Sequence, residues 1–132
     1  MIAPSVDIKD MLEAESSLGL TFGTDLFIGR EPTTPNDCVT IFDTPGRGPE
    51  LLIGNASNYN YPSIQIRVRD ANYLDGWNLI DGIKVALHGR GPETWNAATY
   101  TLIECTTEPA LLDWDENYRC RFIVNFDIQR KN

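Results

Sequence analysis

Two segments in which apolar and polar residues alternate most constrain the fold of this chain. They are Ile64–Arg69 and Cys120–Gln129, and Ile123 is the one apolar residue on the polar side of the second segment. Because successive side chains of a strand point to opposite faces of a sheet, each segment predicts a strand with one apolar face. That face must be covered by other parts of the chain.

An amphipathic helix near the middle of the chain supplies a matching apolar face. Asn72 is its predicted N-cap, with Asp75 completing a weak capping box, and Gly89 ends it. Gly76 lies on the apolar side, which predicts close packing against the sheet. The helix and the two strands together predict a core of Trp77, Ile80, Ile83, Leu87, Ile64, Ile66, Val68, Phe122, Val124 and Phe126.

The remaining elements complete an α+β pattern. A short N-terminal helix is predicted to begin with Ser5 as N-cap, and residues 44–60 show no regular pattern. Further strands are predicted at 20–29, 38–42 (followed by a turn at 43–46), 99–105, 110–114 and 118–129. The predicted order α-β-β-β-α-β-β-β indicates a single domain, 1–132, with a mostly antiparallel sheet and two helices packed on one face.

Composition and charge restrict the partners. The 132 residues are 42% hydrophobic and carry a formal net charge of −8. An acidic domain is poorly suited to bind phosphate backbones or anionic membranes. No apolar run approaches the roughly 20 residues of a membrane span, and the first residues lack the basic and apolar regions of a signal peptide. We therefore expect no membrane association.

The residue types that carry most enzyme and metal chemistry are sparse. The single histidine, His88, is explained by its place at a helix C-terminus. Cys38, Cys105 and Cys120 are too far apart in sequence for a metal knuckle and are expected to be free, buried thiols. The acidic run Asp113–Asn117 lacks the Gly and Glu that a calcium loop needs. We therefore predict no catalytic residue, no cofactor and no metal.

Three features are candidates for contacts with other subunits. Arg67 and Arg69 share the polar side of a strand, where they could pair with acids such as Glu104 or Asp127 or form an intersubunit salt bridge. Leu51, Leu52 and Ile53 form an apolar tripeptide that is either packed on the core or presented to a partner. Trp114 could cover a sheet edge or bind a partner.

The order of several segments resembles small tail-terminator proteins, also described as minor capsid or tail-completion proteins, of long-tailed bacteriophages. The matching segments are 37–46, 61–69, the helix that begins near Tyr73 and ends at 87–89, and the strand at 122–126. The opening helix followed by 26–30 also fits, whereas the loop at 50–60 does not. The resemblance covers most of the chain through structural motifs and no catalytic ones.

The resemblance implies a structural virion protein of the tail or neck, assembled in the host cytoplasm as a homo-hexameric ring. Such a ring caps the tail tube and contacts the tail tube protein and the head-side neck or connector proteins, while DNA passes through without specific binding. Two alternatives stay open: another neck or head-completion protein of the virion, and a small ligand-binding or hydrolytic α+β domain that uses the loop at 44–60 as a lid.

Overall fold

The structure is a computed structural model that describes residues 1–52, 55–56 and 59–132, with the backbone alone for 51–52 and 55–56. Within these residues the chain forms two helices, α1 (Pro4–Ala14) and α2 (Tyr73–Leu87). The strands of the same residues are β1 (Leu26–Ile28), β2 (Cys38–Arg47), β3 (Leu51–Leu52), β4 (Asn55–Ala56), β5 (Tyr59–Asp70), β6 (Glu93–Trp95), β7 (Ala98–Cys105), β8 (Ala110–Trp114) and β9 (Cys120–Lys131).

Seven of these strands form one mixed sheet. Its order is β1-β2-β5-β9-β7-β6, and β8 also pairs with β9. β1 runs parallel to β2, and the other pairings are antiparallel. Because β5 pairs along one edge of β9, β7 and β8 share the other edge, each along a different half of β9. β3 and β4 pair separately.

One hydrophobic cluster fills the interior, and both helices contribute to it. Nine of the ten predicted core residues are fully buried, which confirms the alternation of β5 and β9 and the stripe on α2. The prediction for Trp77 is wrong, because its side chain is 38% exposed. Its ring contacts Phe122 edge-on at the rim of the cluster, with 5.9 Å between ring centroids.

The start of α2 follows the sequence prediction with one exception. The Asn72 side chain accepts a hydrogen bond from the Asp75 N–H (3.0 Å), as an N-cap should. The capping box is wrong, because the Asn72 N–H donates to Asp70 (2.7 Å) and not to Asp75. A Cβ on Gly76 would lie 2.8 Å from the Phe122 ring, so the predicted close packing is confirmed.

The start of α1 differs from the prediction. Ser5 lies inside the helix, whose N-cap is Ala3 with no side-chain capping bond. Pro4 occupies the first turn, where the missing N–H is not needed. The Ser5 N–H and Oγ–H both donate to the Asp43 carboxylate of β2 (3.0 and 2.6 Å). A carboxylate from the sheet therefore replaces the local cap.

A buried polar network attaches α1 to the far strands of the sheet. The buried Asp7 carboxylate accepts hydrogen bonds from the Tyr100 hydroxyl and from the Asn96 amide. Arg130 donates in turn to the Tyr100 hydroxyl (3.1 Å). Desolvation and the hydrogen bond to Asp7 raise the pKa of Tyr100 well above its usual range, so this phenol stays protonated and donates.

The strand boundaries near the ends of the sheet were predicted less well. The strand predicted at 20–29 is reduced to β1, because the Asp25 carboxylate accepts from the Thr21 N–H and closes a turn. The turn predicted at 43–46 is wrong: β2 continues to Arg47, with Pro45 at a register irregularity that tolerates its missing N–H. β5 starts at Tyr59 and β6 was not predicted.

Replacing Ile80 with Ala should lower the free energy of unfolding by about 2–5 kcal/mol, because the fully buried side chain would leave a cavity in the cluster. Val85→Ala on the same helix is the matched control, since Val85 is 71% exposed, and should change it by less than about 0.5 kcal/mol. Urea denaturation of both variants measures the difference. Equal effects would mean that the buried side of α2 is misassigned.

Candidate interaction surface

The side of β2, β5, β9 and β7 that points away from the hydrophobic cluster is a mixed polar surface, which we call the outer face. Cross-strand register places Arg67 between Thr40 and Ile123, and Gln65 between Phe42 and Asn125. Other outer-face residues include Ser63, Arg69, Glu104, Arg121 and Asp127. This is the side of the sheet on which the sequence placed its candidate arginines.

Arg67 lies half-buried at the centre of the outer face without a carboxylate partner among the described residues. Its Nε donates to Gln65 (2.9 Å), and its guanidinium lies over the Phe42 ring, 4.8 Å from the centroid. Gln65 donates in turn to Asn125 (3.1 Å). Arg67 does not form the cross-strand pair with Glu104 or Asp127 that the sequence suggested, and its use by a partner stays a prediction.

Arg69 is used inside the chain. Its side chain is 2% exposed and donates to Glu31 (3.1 Å) and to the carbonyls of Pro32 and Pro35 (2.5 and 2.6 Å). The cross-strand partner suggested for Arg69 is wrong, because the acid that it binds is Glu31 of a loop and not Glu104 or Asp127. These bonds hold residues 31–36, which we call the anchored loop, over one end of the outer face.

Arg121 joins the same group of charges from the neighbouring strand. It donates to Glu31 (3.2 Å) and makes two bonds to the Asp113 carboxylate (2.6 and 2.8 Å). The hydrogen bonds from Arg121 hold the pKa of Asp113 below its usual range. Such paired bonds between guanidinium and carboxylate are stronger than single ones and fix the orientation of both groups.

The acidic hairpin between β8 and β9 is closed by its own hydrogen bonds. The Asp115 carboxylate accepts from the N–H of Asn117 (2.9 Å) and from the N–H and Nε of Arg119 (2.9 and 2.7 Å). Arg119 also donates to the Thr33 carbonyl of the anchored loop (2.7 Å). In the described part of the chain, no three His, Cys, Asp or Glu side chains are grouped so as to hold a metal ion.

A second surface surrounds Trp114. Its ring stacks on Tyr73 (6.4 Å between centroids), and Tyr73 contacts the buried Phe122 edge-on. Through Tyr73 the Trp114 ring is joined to the side of the core, while half of it stays exposed; whether it covers a sheet edge or binds a partner stays a prediction. Exposed apolar side chains that contact Phe122 or Tyr73, or pair with Phe122 in register, form what we call the aromatic patch: Tyr73, Trp77, Leu111 and Trp114.

The other candidates from the sequence are placed as follows. Leu51 and Leu52 form β3, which pairs with β4, and Ile53 lies outside the described residues. His88 follows α2, and its Nδ1 accepts the Cys105 N–H (3.0 Å), which joins the helix end to β7. The three cysteines are free; Cys38 and Cys120 are buried, whereas Cys105 is partly exposed. Neither described helix is long and apolar enough to span a membrane.

The α+β fold presents two surfaces that are suited to protein–protein contacts, the outer face and the aromatic patch. Residues 15–132 match the family model of the bacteriophage tail terminator protein, so the chain belongs to that family. It is therefore a structural protein of the virion tail. The family resemblance drawn from the order of strands and helices is confirmed.

Solved structures support the fold. A chain from the virion of a native gene transfer agent particle matches with a TM-score of 0.72 and 13% identity, over 98% of this chain and 96% of that one. A second solved chain matches with a TM-score of 0.56 and 8% identity, over 96% of this chain and 90% of its own length. No curated protein matches the sequence.

Replacing Arg69 with Ala should lower the free energy of unfolding by about 3–5 kcal/mol, because Glu31 and the carbonyls of Pro32, Pro35 and Asn36 lose a buried donor. Arg67→Ala, two residues away on the same face, should cost less than about 1 kcal/mol. Urea denaturation at neutral pH compares the two. A loss for Arg67→Ala as large as for Arg69→Ala would contradict the placement of Arg69 under the anchored loop.

The Asp113–Arg121 pair predicts a pH-dependent contribution to stability. Because the pKa of Asp113 is lower in the folded than in the unfolded chain, its stabilisation is present above the unfolded pKa and is lost as the pH falls through the folded one. Asp113→Asn should therefore be less stable than the parent protein above about pH 5, and the difference should shrink below about pH 4. The urea midpoints of the parent protein and of Asp113→Asn across this pH range measure the difference in stability. A difference that does not change with pH would contradict the prediction.

Proposed function

We propose that copies of this chain assemble into a closed homo-hexameric ring that caps the tail tube and joins it to the head-side neck or connector proteins. The match of residues 15–132 to the tail terminator family carries this proposal. The proposed subunit is a single domain, 1–132. Both helices pack on the buried face of the sheet, and the outer face is left free for contacts. The proposal gives the protein a structural role and no catalytic one.

A ring of identical subunits needs two different surfaces that fit each other. Head-to-tail contacts of this kind close into a ring when the rotation between subunits is right. The sheet offers different ends for this purpose: β1 lies at one end and β6 at the other. The two ends differ in sequence and in charge, as a head-to-tail contact requires.

The aromatic patch supports contacts with a neighbouring virion protein. Partly exposed aromatic side chains are enriched in protein interfaces, and they lose little conformational entropy on binding. Trp114 is 50% exposed and is the last residue of β8, which pairs only with β9 among the described strands. We assign this patch to the tail tube protein or the neck proteins, and we keep Arg67, Leu51, Leu52 and Ile53 as further contact residues.

The acidic charge suits a ring through which DNA passes. A bore lined with Lys and Arg would bind phosphates and release counterions, which would hold the genome in place. Exposed carboxylates repel the duplex over a distance of about 8 Å at physiological salt. We therefore propose that part of the net charge of −8 per chain faces the bore and that DNA passes without specific binding.

The native mass of the purified protein over a range of concentrations tests the ring. We expect a species of six chains and no larger open series, because a closed ring leaves no free contact surface. Adding tail tube protein should stabilise this species. A monomer at every concentration, with and without tube protein, would contradict the proposal and would favour a different virion role.

The same sample tests the bore. Titration of the assembled protein with double-stranded DNA at physiological salt should show no measurable binding, because a net negative surface gains nothing from counterion release. Tight binding that weakens steeply with added salt would show that cationic side chains face the DNA and would contradict the acidic bore.

A further inference from the structure

Two carboxylates on the outer face oppose each other with no cation from the described residues between them. Glu104 of β7 and Asp127 of β9 are direct cross-strand partners, and both side chains are exposed. Asp127 accepts a hydrogen bond from the Ser63 hydroxyl (2.5 Å). Among the described residues neither carboxylate has a salt bridge. Like charges directly opposite in an antiparallel pair are destabilising, so this arrangement costs the free subunit stability.

The two carboxylates line a hollow of about 300 Å³. Its other lining residues can pack against the methylene groups of an arginine side chain. Tyr61, Leu102 and Gln129 are among the lining residues, and Leu102 is 41% exposed. Long basic side chains pack their methylene groups on such apolar surface while the charged head reaches polar partners. Two adjacent carboxylates can accept several of the five guanidinium N–H groups.

The basic residue at the rim of this hollow is already engaged. Arg47 pairs with Glu50 (3.2 Å) and lies over the Tyr61 ring, 3.9 Å from the centroid. Arg47 lines the hollow together with Glu104 and Asp127 but makes no salt bridge with either of them. We infer that the counter-charge for Glu104 and Asp127 comes from another molecule.

One basic side chain among the described residues is exposed and unused. Within the same residues Arg30, Arg67 and Lys131 have no salt bridge. Arg67 bonds to Gln65, and Lys131 lies over the Tyr59 ring. The Arg30 guanidinium has no such contact in the part of the chain that the structure describes. Arg30 follows β1 at one end of the sheet, whereas β7 is the second strand from the other end.

We propose that Glu104 and Asp127 bind the Arg30 guanidinium of the next copy in the ring. This inference rests on the proposed ring and names one of its subunit contacts. The pairing does not form within one chain: at the usual strand spacing β1 lies about 14 Å from β9, which carries Asp127, and about 19 Å from β7, which carries Glu104. Complementary charges towards opposite ends of one sheet give the head-to-tail contact that a ring requires.

Charge reversal tests the pairing in the full-length protein. Arg30→Glu and the double variant Glu104→Lys/Asp127→Lys should each lower the hexamer assembly constant by about tenfold or more, measured by native mass against concentration. Combining the three substitutions should restore assembly. Glu116→Lys, an exposed acid at the hairpin tip, is the control and should leave assembly unchanged.

Conservative variants keep the test valid if a reversal variant does not fold. Glu104→Gln should raise the melting temperature of the subunit, because it removes the like-charge repulsion, and should lower the assembly constant. A residue needed only for the subunit's own stability would not produce these opposite changes. A rise in melting temperature without weaker assembly would overturn the proposal.

Covalent trapping gives an independent readout. Arg30→Lys treated with a carbodiimide should give covalent oligomers up to the closed ring, because an ammonium group in contact with a carboxylate can be joined to it as an amide. Arg30→Ala under the same treatment is the control and should give no such series. If the parent protein forms hexamers but no trapping and no charge rescue occur, this contact is wrong and the ring stands; if it forms no hexamer, the proposed function itself fails.

Discussion

The antiparallel pairing of β5 with β9 determines which side chains lie in the core and which lie on the outer face. The two strands stay in register from Ser63–Asp127 to Asp70–Cys120, so their alternating residues form one buried face and one outer face. A shift of one residue would move every apolar side chain of a strand to the wrong side. The core, the position of α2 above Phe122 and the polar composition of the outer face all depend on this register.

The outer face is organised by arginines that bind segments distant in sequence. Arg69, Arg119 and Arg121 fix the anchored loop through Glu31 and the loop carbonyls, including that of Thr33. Charged groups buried in this way are costly to break apart once formed, so the loop gains a defined shape. A rigid surface of this kind suits a subunit that must repeat the same contact around an assembly, because little ordering is needed on binding.

The elements that were predicted correctly depend on local patterns. Alternation in β5 and β9, the stripe on α2 and the Asn72 cap can all be read from neighbouring residues, and the structure confirms them. The failures depend on distant partners. Ser5 is bound by Asp43, 38 positions away, and Arg69 selects Glu31, also 38 positions away, in place of an acid on a neighbouring strand. Such contacts leave no periodic signal in the sequence.

Several details of the surface could not be predicted from the sequence, because they too depend on contacts between distant residues. The pairing of Glu104 with Asp127 depends on the register of β7 with β9, which shifts at a bulge between Tyr100 and Leu102. The alternation of residues along a strand predicts which face of the sheet each side chain points to. It does not predict which residues of two neighbouring strands lie opposite each other. The partial exposure of Trp77 likewise depends on where the helix lies relative to the edge of the core.

Electron cryomicroscopy of purified tails carrying this protein gives the most direct test of its place and assembly. We expect a closed ring of six copies at the head-proximal end of the tail tube, with β1 of each copy next to β7 of its neighbour. Density showing the protein elsewhere in the virion, as single copies or in an open helical array, would contradict the ring. A ring in which the outer face contacts no neighbouring subunit would contradict the proposed role of that surface.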